Sequence, residues 1–158
     1  MAFLCITILL CLLQSISAIT NNASDAYDIL QKNDFPIGLL PNGATGSDFD
    51  NSTGRFSVFI PETCTFSVKE DYEFMYKATI AGVIKQDYMY GLRGFWVRSK
   101  KHTDLRYFWL PVFDVQRHHD HLKINVGIYS DKFRVSVFQE SPNCGCGFRC
   151  SDDDHDSI

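Results

Sequence analysis

Hydrophobic and polar positions change rhythm along this chain, and each rhythm predicts a different element. Residues 2–13 are apolar at almost every position, with Thr7 the interruption, and show no stripe on one face. Around Ala26, Tyr27, Ile29 and Leu30 the apolar positions fall at helical spacing. Ser24 or Asp25 is placed to cap that helix, and Asn33, Asp34 and Pro36 are placed to stop it. The expectation is one short helix with an apolar stripe for docking on a sheet. Phe35-Pro36-Ile37-Gly38-Leu39-Leu40-Pro41 follows, an apolar loop that must cover something apolar.

From Arg55 the period becomes two. Phe56, Val58 and Ile60 alternate with their neighbours, and so do Tyr72, Phe74 and Tyr76. A strand is predicted over 78–85, with Gln86-Asp87 turning the chain into 88–92. Phe95 and Val97 start another run, and Leu105, Tyr107, Trp109, Phe113 and Val115 form a long one. Leu122, Ile124, Val126 and Ile128 alternate, as do Phe133, Val135 and Val137. Repeated short strands separated by turn residues predict a mostly-β domain with one N-terminal helix, arranged as an antiparallel sandwich or barrel-like sheet. Residues 107–113 depart from alternation, being apolar on both faces. A strand covered on both sides reads this way. One set of its side chains is expected to pack on the helix, and the other to line a cavity capped by residues 35–40. Pro111 lacks a ladder donor and marks an edge or a bulge.

The N-terminal run is too short to span a bilayer, which takes about 20 residues. Gln14, Ser15, Ile16, Ser17 and Ala18 then supply the small and polar residues of a cleavage region, so residues 1–18 read as a signal peptide. Secretion, to the cell exterior or to the endoplasmic reticulum lumen or vacuole, is the expected route. No later segment is long and apolar enough to span. The full sequence is 45% hydrophobic, and the mature chain of about 140 residues is long enough to build one core. The net charge of −4 resides in the tail at 151–158, through Asp152, Asp153, Asp154 and Asp156. The body is left without the basic excess that nucleic acid requires.

Cys64, Cys144, Cys146 and Cys150 remain after cleavage, an even number in an oxidising route. Four cysteines permit three pairings. Cys144 with Cys146 closes a strained ring, so Cys64 is expected to join one of the C-terminal trio while the others close a small loop. Zinc would want paired C-x-x-C knuckles, which are missing. Asn22 and Asn51 each begin a glycosylation sequon in a polar stretch.

Chemistry-bearing motifs are few. The sequence has no G-x-S-x-G elbow, H-E-x-x-H or P-loop, and no cofactor or metal is expected. Residues 43–47 are Gly-rich but read as a turn. His118, His119 and His121 with Asp120 fall where a solvated hairpin turn belongs, and metal binding there is the lesser reading. Arg98, Lys100 and Lys101, beside Trp109 and Phe95, could meet an anionic headgroup or a polysaccharide; a plain charged loop is the simpler account.

Several segments resemble one plant family. They are Tyr27-Asp28-Ile29-Leu30, the apolar run at 35–41, Thr53-Gly54-Arg55-Phe56, Tyr76-Lys77-Ala78-Thr79-Ile80 and Gly91-Leu92-Arg93-Gly94. The close is Glu140-Ser141-Pro142-Asn143-Cys144-Gly145-Cys146-Gly147-Phe148-Arg149-Cys150. Together they are similar to the family of unknown function 538, the Smaller-with-Variable-Branches-like proteins, over residues 26–150. The resemblance implies a barrel-like fold comparable with the lipid-binding fold of bactericidal permeability-increasing proteins. It carries no agreed catalytic residues, and the His-rich turn and the tail fall outside it. The expected function is non-enzymatic binding of a lipid or similar amphipathic molecule, with peripheral membrane contact as a variant. Phe35, Leu39, Leu40, Tyr107, Trp109 and Phe113 would contact the ligand's tail, and Arg98, Lys100 and Lys101 its headgroup. The alternatives are a hydrolase acting on an apolar, chlorophyll-like ester and an extracellular interaction protein in growth or stress.

Overall fold

The computed structural model describes residues 23–101, 108–127, 129–148 and 150. The segment expected to be a signal peptide, residues 1–18, lies outside the described residues, as do Asn22, Leu105, Tyr107, Ile128 and the acidic tail.

The helix, α1 (Ala23–Lys32), carries Asp25 in its first turn and Lys32 in its last, as the helix dipole favours. It buries Ala26 and Leu30. Its end is a Schellman motif: Asp34 adopts a left-handed φ of 60°, Asp34 N–H donates to Gln31 O, and Phe35 N–H reaches back to Leu30 O at 2.8 Å. Phe35 and Leu30, the two residues this motif brings together, are both buried. The apolar loop then makes a one-turn 3-10 helix at Ile37–Leu39.

Nine strands follow: β1 (Gly46–Asp50), β2 (Arg55–Phe59), β3 (Cys64–Val68), β4 (Tyr72–Lys85), β5 (Tyr88–Ser99), β6 (Leu110–Pro111), β7 (Asp114–His118), β8 (His121–Asn125) and β9 (Ser130–Arg134). They form one antiparallel sheet in the order β1-β2-β4-β5-β7-β8-β9, with β3 added to β4 and β6 to β5. The 14-residue β4 and 12-residue β5 are its spine. The first half of β4 pairs with β3 and its second half with β2. Between the halves, the register against β5 jumps from Tyr76↔Phe95 to Ala81↔Arg93, so β4 carries extra residues there and bends. Gly94 sits at that bend with φ 77°, and a Cβ on it would overlap the Thr79 carbonyl oxygen.

The expected barrel is not formed. β1 and β9 are the two ends of the strand path and do not pair. The sheet curls far enough for Tyr72 of β4 to meet Phe133 of β9, with ring centroids 4.9 Å apart. Closure stops there because the chain leaves β9 at Arg134 for a 3-10 helix, Val135–Phe138, which drives Phe138 into the core. The strand expected through Val135 and Val137 is therefore a helical turn. Phe66, Phe74, Tyr76, Phe95, Phe133 and Phe138 fill the concave side. Tyr76 stacks on Phe95 at 4.5 Å and donates its buried hydroxyl to Leu39 O at 2.6 Å. The open path gives no support to the comparison with the bactericidal permeability-increasing fold.

Residues 108–113 are not one doubly covered strand. Only Leu110 and Pro111 form a strand, β6; Val112 N–H then donates to Phe95 O and Phe113 N–H to Asn125 O, Val112 is buried, and Phe108 and Phe113 are 62% and 51% exposed.

Two disulfides close the structure, Cys64–Cys144 and Cys146–Cys150. The first anchors the C-terminal segment along the free edge of β3, where Gly145 N–H donates to Thr65 O at 2.8 Å. That contact blunts an edge that would otherwise be open to pairing.

Candidate functional site

Among the described residues, two small interior cavities and two surface clefts are candidate sites. Beneath α1 lies an apolar space lined by Ala26, Ile29, Leu30, Leu39, Leu40, Tyr76 and Phe95, among others, with a volume of about 30 Å³. A single water needs about 10–15 Å³ of such space, so the cavity holds a water or two and not an acyl tail. A second, of about 20 Å³, lies under Leu110 and Phe133. Tyr72 borders it, its hydroxyl pushed up to about 12 by burial and by the neighbouring Asp131 carboxylate.

The other two are surface clefts on either side of Phe148. The larger, about 580 Å³, is lined by Ser67, Lys69, Glu70, Lys100, Val137, Cys146 and Phe148. The alternation of β3 turns Ser67 outward while Val68 is buried. Lys69, Glu70 and Asp71 make the turn into β4. Lys100 N–H donates to Asp71 O at 2.7 Å, which ties the end of β5 to that turn. The floor is half-buried Val137 and Phe148; the Phe148 ring packs edge-on against Phe66 and Phe138, at 5.8 and 5.9 Å. Close approach of the ring to the strand requires Gly147, whose φ is 74° and whose Cβ would stand 2.9 Å from Ser67 O. The smaller cleft, about 380 Å³, is polar and includes Asn42, Glu140, Ser141 and Asn143.

Charge at the larger cleft is organised by Glu73. Its carboxylate accepts from Arg98 Nε at 2.7 Å and pairs with Lys100 Nζ at 3.3 Å. Burial pushes the Glu73 carboxyl up, but the hydrogen bonds and charges of Arg98 and Lys100 outweigh it and leave it lowered. Arg98 also stacks over Trp109, 4.7 Å from the ring centroid.

The residues expected at a site are thus dispersed. Phe35, Leu39 and Leu40 are buried in the core. Trp109 lies under Arg98, Phe113 points to solvent, and neither lines the cavity beneath α1. Lys100 stands on the larger cleft, whereas Lys101 is exposed and Arg98 is held by Glu73. Asn51 is exposed in the β1–β2 turn, where Asp50 accepts from Ser52 and Thr53. The His118–His121 segment is the β7–β8 turn, with His119 at φ 54°. No group of three potential metal ligands is found among the described residues. Lys69, Glu70, Val137 and Phe148 were missed from sequence. The polar turn at 69–71 and an aromatic residue inside a cysteine ring were the only signals for them.

Residues 26–139 match the family described as a protein of unknown function, DUF538. The chain belongs to this family. The DUF538 match ends before the cysteine-rich close, so Cys144, Cys146, Cys150 and Phe148 lie beyond it. An uncharacterised Arabidopsis thaliana protein, At5g01610, is 28% identical over 67 residues. That stretch is 42% of this chain and 39% of the relative, so the chain spans well under half of the relative's length.

Proposed function

We propose that this protein is a non-enzymatic binding protein of the secretory route whose ligand, an amphipathic small molecule, seats in the larger cleft beside Phe148. The cleft itself carries the reading. Its volume of about 580 Å³ falls within the range of roughly 300–1,000 Å³ common for ligand sites, and it joins an apolar floor to a few polar groups on its rim. The Cys146–Cys150 ring forms one wall, and the Cys64–Cys144 bond holds that wall against the sheet. Phe35, Leu39 and Leu40 then serve the core that supports the cleft, while Lys100 keeps a headgroup role on its rim.

The disulfides are compatible with the secretory route, and no helix among the described residues is long and apolar enough to cross a membrane. A hydrolase needs a base beside its nucleophile. Ser67 supplies the only side-chain hydroxyl among the described residues of the cleft, and no hydrogen bond joins it to Lys69 or Lys100. Among the described residues, no histidine lines any of these cavities.

Native mass spectrometry of protein made in plant cells and purified without detergent tests the reading. The wild type should carry a small-molecule adduct that Ser67→Trp, which fills the cleft, does not. An adduct retained by Ser67→Trp, or turnover of apolar esters at enzymatic rates, would overturn it.

A further inference from the structure

The β3–β4 turn holds a conformational oddity at the rim of the cleft. Lys69 has φ 57°, a left-handed conformation that side-chain-bearing residues seldom adopt and that hairpin loops normally give to Gly, Asn or Asp. A lysine there gains nothing from the turn, whereas its side chain lines the cleft. Strained backbone at a cavity is the kind of observation that points to function.

The charges distinguish Lys69 from its neighbour. Lys100 shares the Glu73 carboxylate with Arg98. Lys69 has no ion pair among the described residues, although Glu70 follows it in sequence. Among the described residues, the rim therefore holds two ammonium groups against the single carboxylate of Glu70, and no guanidinium lines it. Such a rim matches a monoanion. A dianion would be drawn more strongly to the ammonium groups, but it would also be repelled more by Glu70 and cost more to desolvate, and phosphate sites favour the bidentate fork of arginine.

Building on the cleft reading above, we infer that Lys69 is the anion anchor of this cleft and that the ligand is an amphipathic monocarboxylate. Its carboxylate meets Lys69, supported by Lys100, and its apolar part lies on Val137 and Phe148. Lys69 is then the residue that separates acids from the matching alcohols and amines.

Isothermal titration calorimetry on the full mature protein tests this with octanoate, 1-octanol, octyl phosphate and octyltrimethylammonium, all below their micellar concentrations. Octanoate should bind about tenfold more tightly than octanol, the effect of one charge-assisted hydrogen bond at a part-exposed site. Octyl phosphate should bind no more tightly than octanoate, and octyltrimethylammonium more weakly than octanol. Lys69→Asn, which accepts the left-handed turn without loss of fold, should reduce octanoate to the octanol level and leave octanol unchanged. Lys69→Arg should retain most of the octanoate affinity. A Lys69→Asn variant with unaltered octanoate affinity, while Ser67→Trp blocks both octanoate and octanol, would overturn the anchor and leave the cleft standing. Tighter binding of octyl phosphate would overturn the monocarboxylate. Absence of octanoate and octanol binding, or binding indifferent to Ser67→Trp, would overturn the cleft reading and the anchor together.

Discussion

Removing the two disulfides separately should reveal very unequal contributions. Cys64–Cys144 links positions 80 apart, whereas Cys146–Cys150 links positions 4 apart. If a cross-link acts by restricting the unfolded chain, the stabilisation grows with the logarithm of the loop it closes. The larger loop then contributes about 4.5 kcal/mol and the five-residue ring about 2 kcal/mol. For a chain of this size, each kcal/mol moves the melting temperature by roughly 3 °C. The Cys64→Ala/Cys144→Ala double variant should therefore melt about 13 °C lower than wild type, and Cys146→Ala/Cys150→Ala about 6 °C lower. Differential scanning calorimetry on both, with thiol titration of unfolded wild type to confirm that no free cysteine remains, makes the comparison. Equal losses, or a larger loss from opening the small ring, would refute the chain-entropy reasoning.

Three further outcomes follow from the fold and its charges. Gly94→Ala should destabilise by about 2 kcal/mol or more, because it adds left-handed strain to an overlap with the Thr79 carbonyl; urea denaturation reads this directly, and a neutral result would mean that the β4 bend is not rigid. Acid should erode stability in two places. Glu73 is held below its ordinary 4.5 and Asp50 is lowered from 3.8 to about 2, so their contributions are full above those ordinary values and fade as pH falls through the lowered ones. Glu73→Gln should flatten the upper part of that limb in melting curves between about pH 5 and 2. On the alkaline side, Tyr72 is raised from 10.0 to about 12, so stability should fall across that interval, and Tyr72→Phe should lessen that fall without removing it, because burial also raises Tyr76 and Tyr27.

Much of the local structure was legible because single residues dictate it. Asp34 and Pro36 stop α1 where expected, and the alternating segments around Phe56, Phe74, Leu122 and Phe133 are strands. The failures have physical causes. β1 is a short polar edge, Gly-Ser-Asp-Phe-Asp, whose pairing with β2 rather than its own side chains makes it a strand. β4 appeared to be two strands because the bulge at residues 77–80 breaks the alternation without breaking the chain direction. Val135 and Val137 alternate like a strand, yet the 3-10 turn is what carries Phe138 into the aromatic core. The cleft was the least legible feature. Its walls come from Ser67 to Glu70, Lys100 and the segment from Val137 to Phe148, which only the Cys64–Cys144 bond and the curl of the sheet bring together. No local pattern records that meeting, and the left-handed Lys69 shows only in the backbone.

On the proposed function, ligand is held outside the sheet, beside Phe148, and not beneath the helix. Amide chemical-shift mapping during an octanoate titration of isotopically labelled protein tests it most directly. Saturable shifts should concentrate at Ser67, Lys69, Glu70, Lys100, Val137 and Phe148, with the residues around the 30 Å³ interior space unmoved. Shifts concentrated instead at Ala26, Ile29, Met89 and Leu92, which line that interior, would contradict it.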